Sequence, residues 1–486
     1  MKKAIVTFLM TFYILHSSAI VTQIRWGSTS DPLSGLTVTW SGTGVIDSIA
    51  WGYTASYEKG VFTGAKRSGY TTPSFFAYHF PVVTANTTIY YKLKDGTTWT
   101  TQKMYHTAPD PSLNAYTFAV LGDCRSNASM WTTISNLASA RQPDFCLFNG
   151  DLTNSGTLTS EYNTFFTSGA NFLENNLVYH AEGNHETTNT GLFSNLFDLP
   201  VTGSTSLYYA VRYANTLFIT INSCTPTDAT MLSWLHTTLQ NAASDPTIVW
   251  KVASFHHPFF NTGNHAGDMD SYRSTIWKQF DDFGVDIVFN GHDHNYQRSK
   301  PVNLNISSTA PVSQYGSGPN EGRLEIITGG AGASLYAQGS TQDAWAMNLF
   351  NQTYNYTMVD VQGCKIKIIA YDNNNAVIDS LTLNKVSSSV CNTTGTNIYN
   401  NIFKPISIVP NPAENDFSIK YNSEYVGETL IKIFDPLGKE ISSEKINKNQ
   451  PDLVYRHDMS KHPKGIYTVS VIMGDKRENA ILILSK

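Results

Sequence analysis

The sequence predicts a multidomain protein with an N-terminal all-β sandwich, a central α/β domain and a small C-terminal β-sandwich. The chain has 486 residues, too many for one ordinary domain, and 41% of them are hydrophobic, which is enough for several cores. Short runs of period-two alternation fill residues 20–110, whereas apolar strands alternate with helical stretches from residue 116. The last 83 residues contain 23 charged residues, about 28%, against about 12% in the preceding 403.

The overall composition excludes several classes of protein. Only 15% of the residues are charged, and the chain contains 33 glycines and 19 prolines, which excludes a coiled coil and a charge-rich disordered chain. The net charge is −5 and no basic stripe is present, so a nucleic-acid scaffold role has no electrostatic basis. The five cysteines are odd in number and include no CxxC pair, which argues against a zinc motif or a dense disulfide framework.

The N-terminus has the features of an export signal. Lys2 and Lys3 precede an apolar run over residues 4–15, and Ser17, Ser18 and Ala19 offer small residues for cleavage. A membrane span needs about 20 apolar residues, more than this run provides. We therefore expect residues 1–19 to be a signal peptide, with a buried helix or a short membrane anchor as the alternatives. No later segment has the length and apolarity of a transmembrane segment.

The individual elements follow from local periodicity. Residues 36–40, 48–53 and 88–93 alternate as strands of the first sandwich, and the run from Pro109 to Pro111 indicates its end. In the central domain we predict a helix over residues 231–239 and strands over residues 118–121, 145–148, 217–221, 248–253 and 285–289. Residues 430–434 and 466–472 alternate as strands of the tail, which follows a stretch rich in Ser, Asn and Thr.

Polar side chains follow five of the apolar strands in the central domain, where ligands collect at the carboxyl ends of strands. A glycine in several of these segments permits the sharp turn that directs the next side chain into a cleft. Each such residue alone is usually a turn former or a solvated polar residue, but five such segments in one domain are hard to produce by chance. The segments are Gly122-Asp123, Asn149-Gly150-Asp151, Gly183-Asn184-His185-Glu186, Ser254-Phe255-His256-His257-Pro258 and Asn290-Gly291-His292-Asp293-His294.

These segments supply Asp and Asn oxygens together with imidazole nitrogens, a set suited to Zn²⁺, Fe or Mn²⁺ rather than to Ca²⁺ or Mg²⁺ alone. Six ligands exceed the need of one tetrahedral ion, and a carboxylate can bridge. The sequence therefore predicts two ions about 3.5–4 Å apart, an arrangement suited to in-line displacement at phosphorus.

The order of the motifs resembles that of the calcineurin-like metallophosphoesterases, and residues 20–385 resemble a bacterial purple acid phosphatase. The stretch from Val285 to Ser299 follows the last motif of that family almost residue for residue. The resemblance implies a fibronectin-III-like domain over residues 20–110 and an αββα sandwich metallophosphoesterase domain over residues 115–385. Residues 328–332 and 372–383 resemble the closing strands of that catalytic domain.

The resemblance also implies a set of ligands and a reaction. A metal-bound hydroxide would attack the phosphorus of a phosphate monoester, as in acid phosphatases. A phosphodiesterase or nucleotidase using the same ions is the first alternative, and a non-catalytic surface binding protein is the second. By motif, the bridging ligand would be Asp151, one ion would take Asp123 and His294, and the other would take Asn184, His256 and His292.

Three further residues receive catalytic roles. By the resemblance, His185 would contact the phosphate and His265 would protonate the leaving group. The assignment of His265 depends on the nearby residues 268–273, and the alternative is a solvated loop histidine. His257 is expected not to be a ligand. Arg125 is expected to clamp a phosphate oxygen, because its fork suits bidentate anion binding, with a surface ion pair as the alternative.

The sequence departs from the family pattern around the first ion. Asn154 stands where coloured members place a tyrosine, so no tyrosinate-to-iron colour is expected. Relatives without the tyrosine often carry Asp-x-His at the first motif, but here the run is Asp123-Cys124-Arg125. The first ion keeps three evident ligands. A water molecule, the Asn154 amide or a soft Cys124 ligand could replace the missing one, or the site could be weak.

The tail resembles the C-terminal sorting domain of the type IX secretion system. The motifs are those around residues 406–413, 433–438 and 465–469, followed by a terminal basic-then-apolar strand. The resemblance implies a linker over residues 386–404 and a sorting domain over residues 405–486. It also implies the type IX machinery as a partner, and a secreted or cell-surface protein. The alternative is an accessory binding sandwich.

Overall fold

A computed structural model describes most of the chain, and the described residues fall into two compact units divided between residues 392 and 393. The predicted signal peptide at residues 1–19 and the predicted linker at residues 386–404 lie outside the described residues. The description covers residues 21–43, 47–67, 74–385, 407–411, 413–422, 425–435, 439–450, 452–473 and 476–485.

The N-terminal part of the first unit is the predicted all-β sandwich. Its two sheets have the strand orders β1-β2-β6-β5 and β4-β3-β7-β8, with β9 paired to β7. Trp40, Trp51 and Tyr91 are fully buried between them. Alternate residues of β7 are buried, as the period-two pattern predicts. The strands are β1 (Thr22–Ser28), β2 (Leu36–Gly42), β3 (Ser48–Gly52), β4 (Gly60–Thr63), β5 (Ala65–Lys66), β6 (Ser74–His79), β7 (Thr88–Asp95), β8 (Thr98–Trp99) and β9 (Lys103–His106).

The central part begins after a 3₁₀ turn at Pro111–Leu113 and contains thirteen of the described strands. They form a six-stranded sheet, β12-β11-β10-β20-β21-β22, and a seven-stranded sheet, β13-β14-β15-β16-β18-β17-β19. The strands are β10 (Ala115–Leu121), β11 (Phe145–Phe148), β12 (Val178–His180), β13 (Tyr209–Tyr213), β14 (Thr216–Thr220), β15 (Trp250–Ser254), β16 (Ile287–Asn290), β17 (Tyr296–Ser299), β18 (Leu324–Thr328), β19 (Met347–Asn351), β20 (Asn355–Gln362), β21 (Lys365–Asp372) and β22 (Val377–Asn384).

The two central sheets pack face to face through aromatic side chains. The ring of Phe118 on β10 lies 5.3 Å from that of Phe218 on β14 and 6.2 Å from that of Phe289 on β16. Helices cover both outer faces, so the predicted αββα sandwich is confirmed. The helices are α1 (Ala128–Ser139), α2 (Thr159–Ser168), α3 (Ala170–Asn175), α4 (Thr190–Leu196), α5 (Ala229–Ser244) and α6 (Lys278–Phe283), with 3₁₀ turns at Thr187–Asn189 and Asp270–Tyr272 and a π turn at Arg273–Trp277.

Helix α5 shows why the predicted helix forms. The side chain of Asp228 caps its first turn by accepting hydrogen bonds from the backbone N–H groups of Thr230 and Met231. Met231, Leu235 and Leu239 recur on one face and are fully buried. They belong to the core cluster that also holds residues of β14, β15, β16 and α6.

The first sandwich and the central domain share buried contacts. The guanidinium of Arg25 on β1 donates from Nε and Nη2 to the backbone oxygen of Leu196, at 3.1 and 2.9 Å, and lies 4.4 Å from the ring centroids of Phe75 and Phe166. The indole of Trp26 donates to the backbone oxygen of Glu174 at 2.8 Å. These contacts hold β1 against α2, α3 and α4.

The second unit is a separate small β-sandwich, as predicted. Its sheets have the orders β23-β24-β27 and β26-β25-β28-β29. Phe417, Ile431 and Val469 are among its buried core residues. The strands are β23 (Ser407–Val409), β24 (Asp416–Asn422), β25 (Gly427–Phe434), β26 (Glu440–Lys448), β27 (Asp452–Asp458), β28 (Gly465–Met473) and β29 (Lys476–Leu484).

The described residues contain no helix that could span a membrane, and they include both free and disulfide-bonded cysteines. Within the part of the chain that the structure describes, no helix is both long and apolar enough to cross a membrane. Cys124, Cys146 and Cys224 are free thiols, whereas Cys364 is disulfide-bonded.

Candidate metal centre

Three polar residues at strand ends adopt an unusual backbone conformation. Asp123, Asp151 and His292 have φ angles of 60°, 58° and 67°, in the left-handed region that residues other than glycine rarely adopt. Each follows a glycine. A Cβ on Gly291 would lie 2.2 Å from Oδ2 of Asp123, so only glycine fits there. Such local strain clusters at functional sites.

The two sheets bring all six predicted ligands to one place. In the first sheet, β10, β11 and β12 run parallel, and Asp123, Asp151 and Asn184 follow their carboxyl ends. In the second sheet, β15 and β16 are parallel neighbours, and they are followed by the predicted histidine ligands. Among the described residues, three groups bring possible ligand atoms within 4.8 Å of one another: Asp123, Asp151 and His256; His256, His257 and His292; and His265, Asp268 and His292.

The atoms predicted to bind the second ion converge on one point. Nδ1 of His256 lies 2.7 Å from the backbone oxygen of Asn149, which can only accept, so Nε2 carries the lone pair. This Nε2 lies 2.9 Å from Oδ1 of Asn184, 3.3 Å from Oδ1 of Asp151 and 3.1 Å from Nδ1 of His292. Four electron-rich atoms therefore face one another.

The fourth of these atoms, Nδ1 of His292, belongs to a ring whose other nitrogen is bound by the carboxylate of Asp268. Nε2 of His292 lies 3.2 Å from Oδ2 of Asp268, which accepts a hydrogen bond from this N–H, so the lone pair is on Nδ1. Lone pairs on His256, His292 and Asp151 then oppose one another at contact distance. A cation bound between them would relieve this repulsion, so these residues fit a metal ion.

The electrostatics of the group agree with this fit. Burial lowers the pKa of His256, and burial together with the neighbouring histidines lowers that of His292, so both rings are held in the neutral form that binds metals. Burial and the adjacent Asp151 raise the pKa of Asp123 well above its usual range. Burial opposes ionisation of Asp151, but His256, His185 and Arg125 outweigh it and lower its pKa.

The residues predicted for the first ion contact the guanidinium of Arg125. Nδ1 of His294 donates to the backbone oxygen of Ser334 at 2.7 Å, so its Nε2 carries the lone pair. That Nε2 lies 3.7 Å from Oδ1 of Asp123, but it accepts a hydrogen bond from Nη2 of Arg125 at 3.4 Å. Nε of Arg125 also donates to Oδ2 of Asp151 at 3.1 Å. The guanidinium thus lies among these ligands.

Asn154 and Cys124, the two side chains that could replace the missing ligand of the first ion, make hydrogen bonds elsewhere. Oδ1 of Asn154 accepts from Nη1 of Arg125 at 3.4 Å and from the hydroxyl of Ser126 at 2.5 Å. Cys124 is buried, and its sulfur lies 3.8 Å from the backbone oxygen of Leu152. Both side chains are therefore engaged with partners other than an ion.

The predicted substrate-side histidines lie on either side of this group. His185 donates from Nδ1 to the backbone oxygen of Asn154 at 2.7 Å, and its Nε2 lies 3.7 Å from Oδ2 of Asp151. His265 lies next to His292, with ring centroids 4.0 Å apart, and its Nδ1 is 3.4 Å from Oδ2 of Asp268. Both rings are partly exposed.

His257 also lies close to the predicted ligands. Its ring centroid is 4.2 Å from that of His292, and its Nδ1 is 2.9 Å from the hydroxyl of Ser223. This hydrogen bond engages one ring nitrogen of His257, although its ligand atom lies within 4.8 Å of those of His256 and His292.

Sequence reasoning missed several residues that hold the site together. In the sequence Asp268 is only one member of a motif, yet in the structure it is the carboxylate that orients His292. The carboxylate of Asp293 accepts from the backbone N–H groups of Asn264 and His265, at 2.9 and 3.4 Å, and so holds the His265 loop. The sequence feature that could have indicated Asp293 is its position between the two predicted ligands His292 and His294.

Glu186 is a third such residue. It is fully buried, and its carboxylate accepts hydrogen bonds from the backbone N–H groups of Gly183, Asp151, Leu152 and Thr153. These bonds fix the turn that carries Asp151. The sequence feature that could have indicated Glu186 is its place at the end of the motif Gly183-Asn184-His185-Glu186.

Comparison with known proteins identifies the two recognisable domains. Residues 116–296 match the family of calcineurin-like phosphoesterases, and residues 407–484 match the secretion system C-terminal sorting domain. The central domain is therefore a calcineurin-like phosphoesterase domain, and the second unit is a C-terminal sorting domain.

Within that class, the chain is similar to purple acid phosphatases. It is 24% identical over 249 residues to phosphoenolpyruvate phosphatase of Allium cepa, covering 47% of this chain and 51% of that protein. It is 28% identical over 283 residues to purple acid phosphatase 15 of Arabidopsis thaliana, covering 50% and 53%. The chain thus spans about half the length of the curated relatives it matches.

A solved structure shares the fold. A purple acid phosphatase from yellow lupin (Lupinus luteus) seeds superposes with a TM-score of 0.63 at 15% identity, covering 75% of this chain and 74% of that one. The match extends over more residues than the phosphoesterase family match alone. It supports the predicted association of an N-terminal β-sandwich with the phosphoesterase fold.

Proposed function

We propose that the protein is a secreted, metal-dependent phosphatase that hydrolyses phosphate monoesters. The observation that carries this proposal is the convergence of lone pairs from Asp151, Asn184, His256 and His292 within a calcineurin-like phosphoesterase domain. Zinc, iron and manganese suit this donor set. When bound, such an ion supplies Lewis acidity and makes a nucleophile available near neutral pH.

The chain's own residues would position the ligands and the substrate. The backbone oxygen of Asn149 and the carboxylate of Asp268 fix the rings of His256 and His292. The backbone N–H of His185 donates to Oδ1 of Asp151 at 3.2 Å, which holds that carboxylate in place. Ligands held in this way lose little entropy on binding an ion.

His185 and His265 would act on the substrate. Nδ1 of His185 donates to the backbone oxygen of Asn154, and its Nε2, which lies 3.7 Å from Oδ2 of Asp151, would contact a phosphate oxygen. Beside His292, His265 would transfer a proton to the leaving group, with Asp268 orienting its ring. Arg125 completes the set with a fixed positive charge.

Monoester specificity rests on the relatives. Phosphoenolpyruvate, named for the Allium cepa relative, is a phosphate monoester. The sorting domain supports passage through the type IX secretion system to the cell surface or the medium, preceded by removal of the predicted signal peptide. We keep residues 20–110, 115–385 and 405–486 as the proposed extents of the three domains.

The test is a hydrolysis assay on the full mature chain reconstituted with Zn²⁺, Mn²⁺ or Fe. We expect turnover of p-nitrophenyl phosphate, and its loss in His292→Ala and Asp151→Ala. His236→Ala on the exposed face of α5 is the matched control and should retain full activity. Faster turnover of bis-p-nitrophenyl phosphate would make the protein a phosphodiesterase. No turnover with any of these metals, in protein that is folded by circular dichroism, would refute the proposal.

A further inference from the structure

We propose that the guanidinium of Arg125 takes the place of the first metal ion, so that the protein binds a single ion per chain. The inference rests on the proposed function, because it assumes that the second group of ligands binds a metal. It changes the composition of the centre from two metal ions to one metal ion and one arginine.

Arg125 makes hydrogen bonds to the same residues that are predicted to bind the first metal ion. Its Nε reaches Oδ2 of Asp151 at 3.1 Å, on the opposite oxygen from the one that faces His256. Its Nη2 reaches Nε2 of His294 at 3.4 Å. Both contacts are made to atoms that the sequence assigns to the first ion.

His294 shows why the guanidinium and an ion exclude each other. Its Nδ1 is bound to the backbone oxygen of Ser334, so Nε2 has the single lone pair available for coordination. That lone pair accepts the N–H of Arg125. A neutral imidazole nitrogen cannot accept a hydrogen bond and ligate a metal ion with the same lone pair, so the first ion loses this ligand while Arg125 is in place.

Asn154 supports the arginine rather than an ion. It stands at the position where coloured members of the family have a tyrosine. Its Oδ1 accepts a hydrogen bond from Nη1 of Arg125 at 3.4 Å. Both positions at which the sequence departs from the pattern therefore belong to one hydrogen-bonded group. A guanidinium and its hydrogen-bond partner thus stand at the two positions where the family pattern places alternative metal ligands.

The buried carboxylates also require a cation at this place. Asp123 is fully buried and Asp151 nearly so, and a cation must compensate them. Arginine keeps its positive charge at any accessible pH, and the charge of Arg125 favours ionisation of both carboxylates. One divalent ion and one guanidinium supply three positive charges, one more than the two carboxylates need, which leaves a net positive charge for an anionic phosphate. They repel each other less than two divalent ions would at the same distance.

Arg125 can still bind substrate in this position. A guanidinium has five N–H groups, and three of those of Arg125 are used by Asp151, His294 and Asn154. Two N–H groups remain for phosphate oxygens. The arginine therefore combines the charge of the missing ion with the phosphate clamp predicted from the sequence.

Metal content is the measurement that tests this inference. The full mature chain is saturated with Mn²⁺, freed of excess ion and analysed by inductively coupled plasma mass spectrometry and by electron paramagnetic resonance. We expect one ion per chain in the wild type, with the six-line signal of an isolated Mn²⁺. Arg125→His, which restores an Asp-x-His run, and Arg125→Ala, which empties the space, should each bind two ions with an exchange-coupled spectrum.

Two further variants locate the ion. His292→Ala should remove the single ion of the wild type, whereas His294→Ala should leave it bound. Two ions in the wild type, or one ion in both Arg125 variants, would overturn the inference and leave the proposed function standing. A wild type that binds no ion and shows no hydrolysis would overturn the proposed function as well.

Discussion

Glu186→Gln should destabilise the protein strongly, although it changes only one group of the side chain. One oxygen of the carboxylate, Oε2, accepts from the backbone N–H groups of Asp151 and Gly183, at 2.9 and 3.1 Å. The other, Oε1, accepts from the backbone N–H groups of Leu152 and Thr153, at 3.0 and 3.1 Å. Every one of these partners is a donor.

The magnitude follows from this geometry. Whichever way the glutamine amide is turned, its NH₂ group replaces one oxygen and faces two backbone donors. Each buried donor left without a partner costs about 1–3 kcal/mol, so we expect a loss of about 2–6 kcal/mol in the free energy of unfolding. Displacement of the turn that carries Asp151 should also weaken metal binding by about 10- to 100-fold.

Glu161→Gln is the matched control. A single oxygen of Glu161 accepts from both the Asn154 and Ser155 backbone N–H groups, at 2.6 and 2.8 Å, so an amide oxygen can take over both bonds. We expect a loss below about 1 kcal/mol. The assay is urea unfolding in metal-free buffer at about pH 9, followed by tryptophan fluorescence. Burial and the adjacent Asp151 raise the pKa of Glu186 to about 8, so its carboxylate is ionised at this pH. Equal unfolding midpoints for the two variants would show that the four donors do not depend on the Glu186 carboxylate.

Two other substitutions test buried charges. Burial raises the pKa of Glu325 to about 8 from its ordinary 4.5. The unfolded chain then loses this proton first, and Glu325 lowers the folding stability by up to about 5 kcal/mol as the pH rises from about 4.5 to about 8. Glu325→Gln should flatten this dependence in unfolding experiments across that range, and an unchanged slope would contradict it. Arg25→Met leaves the buried backbone oxygen of Leu196 without its donors and should cost about 2–4 kcal/mol in urea unfolding, whereas a change within about 0.5 kcal/mol would show that the contact between the two domains contributes nothing.

Local sequence was sufficient for the fold class and for the strand ends that carry the site. The strand Phe145–Phe148 was predicted with its observed bounds because a short apolar run is followed by the turn residues Asn149 and Gly150. Helix α5 was predicted over residues 231–239, but it begins at Ala229 and continues to Ser244, and Ala242 is also buried. Periodicity indicates the buried face of a helix where large apolar residues recur. The last turns of α5 contain mostly exposed polar residues, so periodicity does not indicate where the helix ends.

Contacts between distant segments could not be predicted from local sequence patterns. Asp268 and His292 are 24 residues apart, and Arg25 and Leu196 are 171 apart. Their pairing depends on how the sheets and loops pack, which no local pattern encodes. The direction of Arg125 is a similar case, because both a substrate oxygen and the ligands of an ion satisfy a guanidinium. Only the placement of His294 and Asn154 around it distinguishes them.

The metal centre can be tested by an anomalous difference map from crystals of the full mature chain grown with Zn²⁺. We expect a strong peak enclosed by Oδ1 of Asp151, Oδ1 of Asn184, Nε2 of His256 and Nδ1 of His292, the four atoms that converge in the structure. A map with no peak among these atoms, in crystals whose protein is otherwise ordered there, would contradict the proposed metal centre.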